Sequence, residues 1–162
     1  MKNKIFKTCL VFIKTATLIL VVFTFQSFRY ETKSIIGNAV SDFSLKNVDE
    51  KHVSLSDYKN AKGFIIVFTC NHCPFAKLYS HRFNDLNTIY KSLGVPSLAI
   101  NSMDTGVYED ETFSKMKNKA EPEKFNFPYL YDNMQTAGKN FGADHTPNAY
   151  VIWKENNQWK IK

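Results

Sequence analysis

The sequence predicts an α/β domain, a central mixed sheet with helices on its faces, following a short leader. Three observations carry that reading. Gly63–Thr69, GFIIVFT, is a continuous apolar run of strand length, as expected for a strand buried on both faces. Apolar residues at Phe75, Leu78, Tyr79, Phe83, Leu86, Ile89, Tyr90 and Leu93 follow at helical spacing over five turns. Val95–Asn101, VPSLAIN, then reads as a second strand, so the chain alternates strand, helix and strand.

In chain order, residues 1–28 come first, with lysines ahead of a strongly apolar stretch. The eleven residues Thr15–Phe25 carry no charge, the length of a signal-peptide core and short of a membrane span. Counted from Thr8 to Phe28 the stretch has twenty-one residues but contains Lys14, which can snorkel to the interface of an uncleaved anchor. No good small-x-small cleavage site follows. The segment is therefore read as a signal peptide or N-terminal membrane anchor. It exports the rest of the chain to the periplasm or tethers it to the outer side of the inner membrane. Cys9, alone in this segment, is assigned no role.

Charge follows the same division. The net charge is +6, but five of the 21 basic residues lie in residues 1–30, which hold no acid. The remaining sixteen face 15 acids, so the remainder is nearly neutral and gives a nucleic-acid partner no electrostatic support. Hydrophobic residues at 44% and charged residues at 22% exclude a disordered chain, and three cysteines exclude a disulfide scaffold.

Residues 34–162 are read as one domain. Phe43/Leu45 and Val53/Leu55 alternate on either side of the polar NVDEK stretch, a hairpin signature with a turn at Ser56–Asp57. Gly94 is placed just past the long helix as its C′ residue. A polar helix is expected over Asp110–Lys119, then a short strand in FNFPYLYD, then a short helix capped by Asp132 or Asn133 and running to Phe141. Asn148–Trp153 and a last segment from Trp159 complete the strands. With no helix after the final strand, the chain is read as truncated at its C-terminus, or else as ending in the sheet's edge strand.

The strongest chemical signal is Cys70-Asn71-His72-Cys73-Pro74, between the buried strand and the long helix. Free N–H groups and the macrodipole at a helix N-terminus stabilise a thiolate, the nucleophile of thiol–disulfide exchange. Cys70, at an exposed strand-to-helix junction, is expected to attack, and Cys73, in the first turn, to resolve. His72 in its positive form would support the thiolate and push the pair toward being an oxidant. Pro74 costs little there, because first-turn N–H groups lack intrahelical partners. No second CxxC or paired histidines exist for zinc, and no metal site is assigned. A Cu(I)-binding module using Cys70, Cys73 and His145 stands as an alternative, as does a purely structural disulfide. His52 and His81 are read as surface residues.

The segments G-N-A-V-S-D-F-S-L, V-S-L-S-D-Y, GFIIVFT leading into CNHCP, FNFPYLYD and FGADHTPNAYVIW occur in an order that resembles the thioredoxin-like superfamily. The match is to the branch joining the alkyl hydroperoxide reductase/thiol-specific antioxidant (AhpC/TSA) domain with TlpA-like thiol-disulfide oxidoreductases. The resemblance implies a three-layer α/β sandwich with an N-terminal β-hairpin extension and a missing C-terminal helix. It implies an exported enzyme that acts on protein thiols and disulfides with an unidentified redox donor, contributes to cell redox homeostasis, and needs no cofactor beyond a Cys70–Cys73 disulfide. Thr146-Pro147 matches the family's cis-proline element, which binds a substrate backbone. Thr69 stands where relatives usually carry Trp, and Phe64 where they carry a buried acid, so the proton acceptor is unassigned. A peroxiredoxin-like antioxidant peroxidase is the second implied activity. It would use Cys73, which aligns with the peroxidatic position.

Overall fold

The computed structural model describes residues 34–162; the leader and Cys9 lie outside them. Eight strands form one sheet: β1 (Ala39–Val40), β2 (Ser44–Asn47), β3 (His52–Ser54), β4 (Gly63–Phe68), β5 (Ser97–Asn101), β6 (Tyr129–Tyr131), β7 (Asn148–Glu155) and β8 (Gln158–Ile161). Their spatial order is β1-β8-β7-β4-β5-β6-β2-β3. The helices are α1 (Pro74–Lys91), α2 (Phe113–Ala120) and α3 (Thr136–Phe141).

The apolar run Gly63–Phe68 lies at the centre of the sheet. It pairs in parallel with β5 (Ile66 opposite Leu98) and antiparallel with β7 (Ile66 opposite Tyr150). Gly63 belongs there because a Cβ would come within 2.4 Å of the Trp153 ring and 2.6 Å of the Ile152 carbonyl. The expected hairpin is β2–β3, with Leu45 opposite Val53, and it extends the sheet by pairing with β6. Asn156 and Asn157, both at positive φ, make the tight turn into β8. That last strand is not the sheet edge, because β1 pairs with its outer side.

Successive residues of each strand point to opposite faces, and the two faces bury different sets. Phe64, Ile66, Phe68, Leu98, Ile100 and Ile152 form one cluster with Ala137 and Phe141 of α3. Ala99, Phe127 and Tyr129 form the other with Met116 and Ala120 of α2, and Phe83 of α1 packs against it. These are three layers: α1 and α2, the sheet, and α3.

Three sequence expectations shift. The acidic residues expected to start α2 form a separate 3₁₀ turn, Glu109–Glu111, ahead of it. The short helix begins later, at Thr136 with Gln135 in the N-cap position, and Asp132 reaches its first turn from three residues further back, accepting from the N–H groups of Thr136 (2.9 Å) and Gly138 (3.0 Å). The apolar stripe of α1 faces the core only in part, through Phe83. Phe75 and Leu78 are 65% and 64% exposed, whereas Ala76, Ser80 and Asn87 are buried. Asn87 explains the rotation: its side chain accepts from Ser97 N–H (2.9 Å) and donates to the Asn126 carbonyl (2.8 Å), tying a polar face inward.

Candidate active site

Strand β4 carries the chain into the cysteine loop, and Thr69 N–H still donates to the Ile100 carbonyl at 2.9 Å. The loop spans Cys70–Cys73, and Cys73 is the N-cap of α1, with Pro74 opening the helix. Cys70 does not sit at an exposed junction as the sequence suggested. It is 0% exposed, and Cys73 is the partly exposed sulfur. The apolar strand continues its burial into the first cysteine, whereas the helix start turns the second toward the surface.

Thr146, 76 residues further along the chain, reaches both sulfurs. Its hydroxyl donates to Cys70 Sγ at 3.1 Å, and its carbonyl lies 3.8 Å from Cys73 Sγ. The Thr146–Pro147 peptide is cis, as the resemblance implied. Burial raises the Cys70 thiol above its ordinary value; hydrogen bonds from the Thr146 hydroxyl and the Cys73 amide lower it, and the Glu111 charge raises it again, for a net rise.

Glu111 is the residue that sequence reading missed. It is 0% exposed and lies under the loop. Its carboxylate accepts from the backbone N–H of Asn71 (2.8 Å) and of His72 (3.0 Å), and from Asn101 Nδ2 (2.7 Å). It also meets His72 Nδ1 at 2.5 Å. Burial alone would raise this carboxyl, but the bonds from Asn71, His72 and Asn101 outweigh it and hold the group below the usual carboxylate range. Around it, Tyr129 donates to Asn71 Oδ1 (2.9 Å), Asn71 Nδ2 donates to the Asp110 carbonyl (2.8 Å), and Lys119 donates to the Cys70 carbonyl (2.9 Å). Both residues between the cysteines are thus gripped from inside. The one local hint in the sequence is the acidic run Glu109–Glu111.

The histidine beside Cys70 is His72, stacked on Tyr108 with ring centroids 5.3 Å apart. Among the described residues, the group with ligand-type atoms within 4.8 Å of one another is Cys70, His72 and Glu111. His145, invoked for Cu(I), instead pairs with Asp144 at 2.6 Å and is exposed. In this cluster the Glu111 oxygens accept from protein donors, the Asn71 and His72 amides and Asn101 Nδ2. Beside it, Phe68, Met103, Tyr108, Gln135, His145 and Thr146 help line a cavity of about 210 Å³. His52 and His81 are exposed, as expected.

The AhpC/TSA family matches residues 36–157. The chain belongs to that family. Thiol-disulfide oxidoreductase ResA of Bacillus thuringiensis subsp. konkukian is 28% identical over 128 residues, 79% of this chain and 69% of the relative. A solved structure of an uncharacterized conserved protein from Geobacillus kaustophilus superposes with a TM-score of 0.72 at 36% identity, covering 80% of this chain and 68% of that one. The exposed lipoprotein thioredoxin Etrx1 of Streptococcus pneumoniae gives 0.62 at 23% identity, covering 75% and 88%, and shows the shared fold. This AhpC/TSA chain is therefore a thioredoxin-like α/β protein and an oxidoreductase of the branch that its motifs indicated.

Proposed function

We propose that this AhpC/TSA chain is an exported thiol-disulfide oxidoreductase working through Cys70 and Cys73. The observation that carries the reading is the convergence of Thr146 on both sulfurs, with its hydroxyl and the Cys73 amide as donors to Cys70 Sγ. Cys70 is the sulfur with donors suited to an anion, so it is the attacking thiol. Its thiolate attacks one sulfur of a substrate disulfide, forms a mixed disulfide and releases the other substrate sulfur, which takes up a proton. Cys73 then attacks Cys70 Sγ, closing the Cys70–Cys73 bond and releasing the second substrate thiol. Two electrons and two protons pass to the substrate, and an external dithiol restores the pair. Thr146 covers Cys70, so docking of the substrate chain at Thr146-Pro147 is part of the step. The lysine-first apolar segment 1–28 supports export. Among the described residues no helix is long and apolar enough to cross a membrane.

Trapping tests the roles. Cys73→Ser incubated with a disulfide-linked peptide accumulates a mixed disulfide at Cys70, whereas Cys70→Ser accumulates none. A trap only in Cys70→Ser reverses the roles, and no trap in either removes the reading. The partial exposure of Cys73 favours a second reading, a peroxidase in which this sulfur meets hydrogen peroxide and becomes a sulfenic acid. In that case Cys70→Ser still consumes peroxide and Cys73→Ser does not.

A further inference from the structure

We propose that Cys70, His72 and Glu111 form a site for a divalent ion of the zinc type, which caps the reduced pair and holds it out of exchange. The binding stands on its own, and its effect on turnover rests on the exchange reading above.

The three side chains offer a sulfur, a ring nitrogen and a carboxylate oxygen, all within 4.8 Å of one another. Zinc takes this mixture in a tetrahedron, about 2.3 Å from sulfur and about 2.0–2.2 Å from nitrogen or oxygen. Soft Cu(I) prefers thiolate and imidazole, so the carboxylate argues for the divalent ion. Cys73 Sγ is not within that distance of all three, which leaves the fourth position to water.

Charge makes the same case. Glu111 is fully buried, and a Cys70 thiolate beside it would place two anions in one dry site. Lys119, the nearby cation, is engaged by the Cys70 carbonyl. One divalent cation bound with a neutral imidazole balances both negative ligands. On binding, the Cys70 thiol gives its proton to solvent. The ion enters where His72 Nδ1 now meets Glu111 Oε1, and the imidazole keeps its proton on Nε2. Those two atoms lie 2.5 Å apart and must part by about 1 Å to share a metal. The His72 side chain is 40% exposed, so its ring has room to draw back. The remaining bonds to Glu111 are what a ligating carboxylate needs. The Asn71 and His72 amides and Asn101 Nδ2 form an outer shell that orients the group.

Closure of the Cys70–Cys73 disulfide removes the thiolate, so only the reduced form takes the ion. A bound ion covers the attacking sulfur and stops its reaction with a substrate disulfide until a chelator removes the metal.

The test titrates the reduced full chain with Zn²⁺ against a chromophoric chelator, free of other thiols. One ion binds per chain, and it slows iodoacetamide alkylation of Cys70 by about tenfold or more until EDTA restores the rate. Co²⁺ in its place gives a thiolate-to-metal charge-transfer band. His72→Ala and Glu111→Gln each weaken binding by about tenfold or more, whereas Cys73→Ser holds the ion within about threefold of the wild type. Binding unchanged in His72→Ala, or lost in Cys73→Ser, overturns the proposal and leaves simple chelation by the two thiols. The absence of any bound ion overturns it as well. If Glu111→Gln does not fold, His72→Ala and Cys73→Ser decide. Metal binding needs no disulfide chemistry, so failure of the exchange reading shows separately, as the absence of a mixed disulfide in the trapping experiment.

Discussion

On one face of the sheet Phe64, Phe68, Leu98, Ile100 and Ile152 form an apolar cluster with one another and with Ala137 and Phe141 of α3. On the other, Ala99, Tyr129 and Met116 share the interior with Glu111, Asn101 and Asn71, which are joined by hydrogen bonds. The first face gains stability from area, which is non-directional and tolerant of detail. The second depends on donors aimed at particular oxygens, where one unpaired group costs more than one bond gains. The cysteine loop is fastened to the second face. The dry face holds the sheet, and the polar face holds the chemistry.

The sharpest way to break that division is on the dry side. Phe64 is fully buried between Tyr58 and Trp159, with ring centroids 5.3 and 5.0 Å away. Phe64→Ala is expected to cost about 3–5 kcal/mol in denaturant unfolding, with the Cys70 alkylation midpoint unchanged. A midpoint that moves with it would show that the two faces are not separable.

On the polar side the expected loss is smaller and falls on the loop. Tyr129→Phe removes the donor to Asn71 Oδ1 and leaves that acceptor buried, costing about 1–3 kcal/mol. Amide exchange at Asn71 and His72 should quicken beyond what global destabilisation explains. Equal slowing or quickening across β4 and the loop would mean that the hydroxyl is only part of the packing.

Acid should weaken the polar face through Glu111. Its folded pKa lies below the ordinary carboxylate value, so the unfolded chain binds its proton first as pH falls. The stability it contributes is fully present above the ordinary range and is lost as pH drops through that range to the lowered folded value. Urea unfolding across the acid range should show a steeper decline in the wild type than in Glu111→Gln. Parallel curves would mean that Glu111 is not ionised in the fold.

Thr146→Val is the finest probe. It removes the hydroxyl donor to Cys70 Sγ and keeps the shape, so stability should change by about 1 kcal/mol or less. The Cys70 midpoint should rise by less than about one pH unit. A fall would mean that the hydroxyl accepts from the thiol instead of donating to it.

Much of the fold was readable residue by residue. The apolar run at Gly63 and the hairpin around NVDEK declare themselves through local pattern and turn chemistry. The CxxC pair was readable from its compact signature, and Thr146-Pro147 only from the resemblance of the whole pattern. The orientation of α1 was not. Its apolar residues have helical spacing, but Asn87 has a fixed partner in Ser97 N–H, and that bond decides which side turns inward. The shielding of Cys70 was equally hidden, since it depends on Thr146 arriving across the sheet.

The sequence by itself determined the order of elements, the pair of sulfurs and the class of chemistry, because periodicity, caps and motif spacing are properties of neighbouring residues. Tertiary structure decided which sulfur is shielded and that Glu111, 41 positions beyond Cys70, lies beneath it. An acid in a polar run looks the same in sequence whether it meets water or four donors. Only folding brings those donors to it, and burial then gives its charge a reach that water would have screened.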